Sequence, residues 1–148
     1  MKQSSAYGTA LILGALGTVI TMVFHPTGSD LLQTNEHAAR QGELLAIATH
    51  SLALVSYPVI CFGIVGLYRR LAKNELIKTA ALIAFFFGAF AIMIAGASSG
   101  LIAPTLTRQI LESDEVSRAT LHTLLAYNFA INQAFTKIFV VASSSSVI

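Results

Sequence analysis

Charge is scarce in this chain. Only 11% of its 148 residues are charged, against about 25% in an ordinary water-soluble domain. So little charge cannot cover a globule in water, and with 55% hydrophobic residues the chain belongs in lipid. Carboxylates are missing where a transporter would want them: Asp30, Glu36, Glu43, Glu75, Glu112, Asp114 and Glu115 all fall in loops or at helix ends. No carboxylate within an apolar run can exchange a proton, which counts against a proton-coupled exporter. The single cysteine, Cys61, excludes an intramolecular disulfide, and in "YPVICFGIVG" it reads as a small buried hydrophobe. The net charge is only +2 and the basic residues form no long run, so no nucleic-acid partner is expected.

Catalytic signatures are missing as well. There is no Gly-rich phosphate loop, no C-x-x-C-H, no H-E-x-x-H and no paired Glu-x-x-His. The serines of "ASSSSVI" lie at the opposite end of the spans from every histidine, too far for a hydrogen bond of about 3 Å to an activating base. Ser98 and Ser99 share the histidines' side, but neither has an activating neighbour in the sequence. The reading leans away from an enzyme.

What is present is length. A bilayer core of about 30 Å needs roughly 20 apolar helical residues, because lipid offers no partner to backbone N–H and C=O groups. Four runs qualify, at residues 6–24, 45–68, 79–103 and 121–148. They predict an all-α integral membrane bundle of four transmembrane helices, one domain over residues 1–148. Lys2 precedes the first run, but no small-residue cleavage site follows it, so the run is read as an uncleaved span. With the N-terminus in the cytoplasm, that side holds Lys2, Arg69, Arg70, Lys73 and Lys78, while Arg40, Arg108 and Arg118 lie outside; the positive-inside rule therefore predicts N-in and C-in.

Within the spans, Ala10, Gly14 and Thr18, and again Gly96 and Gly100, recur at one-turn spacing and predict close helix packing. Pro58 predicts a kink in the second span. Thr34 is placed to cap a helix through "NEHAARQGELL", Pro104 to open a short amphipathic helix, and Ser113-Asp114-Glu115 to start the last helix.

The polar residues carry the functional expectations. His25, His37, His50 and His122 fall on the outer side in this topology. Of these His25, His50 and His122 are candidate ligands for haem or a metal, since neutral imidazoles facing each other across helices suit both. In the last span a 100° advance per residue places Asn128, Asn132 and Thr136 in one stripe with Gln133 and Lys137 beside it. That half of the helix must face other helices or a water-filled cavity. Lys137 needs a partner or must snorkel to the headgroups. Tyr127 and Asn128 are expected to converge with His25 and His50 beneath the outer loops.

"HPTGSD" after the first span, "HSLAL" opening the second, "GLYRRL" closing it, "SSGLIAP" closing the third, and "YNFAINQAF" with "VVASS" in the fourth together resemble an uncharacterised bacterial multi-pass inner-membrane protein family. The resemblance implies the fold and a bacterial cytoplasmic (inner) membrane location. It also implies further spans beyond Ile148, so that this chain would be a truncated bundle. It implies no activity and no site residues. The function expected is that of a non-enzymatic assembly component or subunit, in contact with the bilayer and with a second copy or another membrane protein. The alternative is a redox or cofactor-binding membrane protein using the outer histidines.

Overall fold

The computed structural model of the chain describes residues 2–25, 36–71 and 74–146. They are helical almost throughout: α1 Lys2–Val23, α2 Glu36–Leu71, α3 Glu75–Ala97, a π-helical segment Ser98–Ile102, α4 Ala103–Glu112 and α5 Glu115–Ser145. Four helical stretches are long and apolar enough to cross a membrane: Ser5–Val23, Arg40–Arg70, Glu75–Glu112 and Glu115–Ser145. The protein is therefore an all-α bundle of four candidate spans.

The bundle is two antiparallel hairpins side by side. One pairs α1 with α2 and the other pairs α3 with α5; α2 joins them by packing on α3 and on the π segment. Glycines make the first seam. A Cβ on Gly14 would sit 3.0 Å from the backbone nitrogen of Ile60, one on Gly17 2.1 Å from Ser56 Oγ, and one on Gly63 2.8 Å from the nitrogen of Leu11. The helix axes can approach this closely only because those side chains are absent. The buried row on α1 is Ala10, Gly14, Gly17 and Thr21, alternating steps of four and three. Equal steps of four would drift around the helix, so Thr18 leaves the seam: it is half-exposed and bonds back to Ala15 O at 2.8 Å. Gly100 of the π segment is tightly packed, whereas a Cβ on Gly96 of α3 would meet only Leu54 at an ordinary 3.9 Å.

One end of the bundle gathers the start of α1, the end of α2, the start of α3 and the end of α5. Arg69 donates to Tyr7 Oη at 2.9 Å, and the Tyr68 hydroxyl donates to the Ser146 carbonyl. At this arginine end Asn74 caps α3, its side chain accepting from the N–H groups of Leu76 and Ile77, and Lys78 pairs with Glu75. At the opposite, histidine end, Arg108 of α4 meets Glu43 of α2 at 3.3 Å. Arg118 of α5 donates to the carbonyls of Ile110 at 3.3 Å and Ser113 at 3.0 Å, closing the end of α4. Asp114 caps α5 by accepting from the Ser117 N–H at 2.8 Å. That bond, with the one to the Ser117 side chain, holds the carboxyl below its ordinary value.

Several helix boundaries differ from expectation. α2 begins at Glu36, in keeping with the helix expected through "NEHAARQGELL", but it runs unbroken into the second span, so His50 lies about four turns inside the helix instead of opening it. The extension carries Arg40 and Glu43, charges that a membrane-length window excludes. α2 runs through Pro58 as one helix. Cys61 is half-buried. The cap at Thr34 lies outside the described residues.

Candidate functional site at the histidine end

The π segment organises this end. Pro104 has no N–H, and its ring collides with the carbonyl of the residue four before it, Gly100, in a regular α-helix. Widening the preceding turn moves that carbonyl aside, and the Ala103 N–H reaches back to Ser98 O instead. π turns are frequent at functional sites because they displace backbone groups from the regular ladder.

Two elements use the displaced turn. From α5, Asn128 and Ser98 exchange bonds while buried: Ser98 Oγ donates to Asn128 Oδ1 at 2.8 Å, and Asn128 Nδ2 donates to Ser98 O at 3.1 Å. One turn on, Asn132 Nδ2 donates to Ala95 O at 2.8 Å and to Ser99 Oγ at 2.6 Å. From α2, His50 packs on Gly100 so tightly that a Cβ there would lie 2.0 Å from His50 Cβ. The imidazole is 7% exposed, and its Nδ1 lies 2.8 Å from Ala46 O. A carbonyl can only accept, so Nδ1 carries the proton and Nε2 keeps its lone pair.

His25, at the end of α1, meets His50 with ring centres 4.9 Å apart and planes at 59°. Thus His25, His50 and Asn128 gather around one turn of helix, with Ser98 and Gly100 between the histidine pair and the asparagine. His122 is not drawn in. It is exposed on α5, six residues nearer the helix start than Asn128, or about 9 Å along the axis. Tyr127 is 68% exposed and turns away from the cluster that its neighbour Asn128 joins. Among the described residues, no group of three His, Cys, Asp or Glu side chains is arranged to hold a metal ion.

The rest of the polar half of α5 splits in two. Asn128 and Asn132 are bonded to the adjacent helix, and Thr136 bonds back to Asn132 O at 2.9 Å. Gln133 and Lys137 are exposed on the outside of the bundle. Lys137 borders an open groove of about 760 Å³ between α3 and α5, otherwise lined by Ala80, Ile83, Ala84, Phe87 and the α5 residues below it. No hydrogen bond or ion pair to Lys137 occurs among the described residues. The packing of Asn132 on Ala95 and of Phe139 and Ala142 on Gly88 sets Lys137 between the levels of Gly88 and Ala95 on α3.

What sequence reasoning missed is the π segment itself. Its signal was present as Gly100 four residues before Pro104, read separately as a packing glycine and a helix opener. Comparison of the chain with protein-family models, with curated proteins and with solved structures finds no match.

Proposed function

We propose that the protein is a polytopic component of a bacterial cytoplasmic membrane that acts by assembly and not by catalysis, its free α5 face docking on a helix of a different membrane protein. The observation that carries this is Lys137, exposed with Gln133 on the last candidate span, Glu115–Ser145. An ammonium at the centre of a span costs about 2.5–3.5 kcal/mol on insertion scales, and one within a span is stabilised by a partner acceptor. Among the described residues no Asp or Glu side chain pairs with Lys137, and a second copy would bring a second Lys137. The acceptor that matches a full charge is a carboxylate, and we assign it to another protein. Ala130 and Ala134 are exposed on the same helix and let a partner backbone approach closely.

A photoreactive residue at Ala134, activated in native membranes, tests this. The expected result is a crosslink to one distinct polypeptide, lost in Lys137→Glu and retained in Lys137→Arg. Crosslinks to lipid alone, or to a second copy of this chain, would overturn the proposal.

A further inference from the structure

We infer that His25 and His50 form a two-imidazole site for a divalent first-row transition-metal ion of the zinc type, at the junction of α1, α2 and the π segment. The inference is independent of docking through α5.

Geometry carries it. At a metal–nitrogen distance of about 2.0 Å, two imidazoles on neighbouring corners of a tetrahedron have ring centres about 5 Å apart, whereas two on opposite sides of a haem iron have centres about 6 Å apart. The observed 4.9 Å matches neighbouring corners, so the pair is not set to be the two axial ligands of one haem. His50 has the companion bond that metal-bound histidines require: its Nδ1–H is held by Ala46 O at 2.8 Å, which fixes the tautomer and leaves Nε2 as the ligating nitrogen. Its ring cannot slide back, because Gly100 of the π segment is packed against it. His25 comes from the exposed end of α1, where an aqueous ion has access.

The two imidazoles fill two of four tetrahedral positions. The remaining two go to water or to an incoming ligand, the arrangement of an exchanging site and not of a closed structural one. Imidazole suits zinc, nickel and copper and disfavours magnesium and calcium. An ion held here also ties α1 to α2 at the end where their glycine seam finishes.

The test is titration of the purified full chain in lipid nanodiscs with Zn(II), and with Co(II) as a coloured substitute. The expected result is one ion per chain and a tetrahedral Co(II) spectrum. Binding should weaken at least about 100-fold in His25→Ala, since even losing a supporting hydrogen bond to a ligand costs 10–100-fold, and should be unchanged in His122→Ala. His25→Ala is the deciding variant because His25 is exposed beyond the last turn of α1, whereas His50 is buried; both variants are read at retained helicity, with His50→Ala as the second arm. Binding unaffected by His25→Ala, equal loss in His122→Ala, an octahedral Co(II) spectrum, or no zinc bound by the unaltered chain would each overturn the inference.

Discussion

At the residue scale, Gly100 is where backbone and site meet. The π turn presents its Cα to His50, and any side chain there must displace the imidazole. Gly100→Ala is expected to destabilise the bundle by about 1–3 kcal/mol, the usual cost of forcing a methyl into a packed interior. Denaturation of the purified protein by increasing SDS fraction checks this, with Gly96→Ala as the control expected to cost little, since Leu54 at 3.9 Å is its nearest neighbour. Stability unchanged in Gly100→Ala would mean that His50 is free to move. Residues of this kind were legible only in part. That Asn128 and Asn132 must face other helices or a water-filled cavity followed from the cost of an unpaired amide in lipid; that it is the adjacent helix which satisfies them is seen in their bonds to Ser98, Ser99 and Ala95. That Tyr127 would turn outward while Asn128 turned inward did not, because adjacent residues differ by 100° and only the packed partner fixes which faces in.

At the element scale, each hairpin has its own adhesive. The α1–α2 seam is backbone on backbone through glycine, while α3 and α5 are joined by side-chain amides and hydroxyls. The small-residue spacing on α1 was visible in the sequence, but its phase was not. Ala10, Gly14 and Thr18 share one-turn spacing, whereas a helix pair in extended contact follows steps of three and four, which selects Gly17 and Thr21. Gly63→Leu is expected to separate the first hairpin, because its Cβ would press on the backbone of Leu11, which cannot rotate away. Gly8→Leu is expected to be tolerated, since nothing lies within 4 Å of its Cβ. Thermal unfolding of the two variants in one detergent distinguishes them: a large drop for Gly63→Leu alone supports the seam, and equal behaviour rejects it.

At the scale of the whole molecule, the two hairpins give the protein two unlike ends, and the topology follows from them. Tyr7 with Arg69 and Tyr68 with Ser146 hold the beginning and end of the described chain together at one end. That end also carries Lys2, Arg70 and Lys78. The opposite end has Arg40, Arg108 and Arg118, of which Arg108 is committed to Glu43 and Arg118 to the carbonyls that finish α4. Cations near span ends are retained in the cytoplasm during insertion, so the arginine end is expected to be cytoplasmic and the histidine end to face outward. Single cysteines on a Cys61→Ser background test this with a membrane-impermeant thiol reagent. Positions beside Asp30 and Glu112 should label in intact cells, and one beside Asn74 only after the membrane is opened. Labelling of Asn74 alone in intact cells would invert the bundle, and labelling of all three from one side would remove the four-span arrangement. The outcome also bears on the histidine pair: an outward-facing site draws its metal from outside the cytoplasm, where His25 at the exposed end of α1 would meet it first.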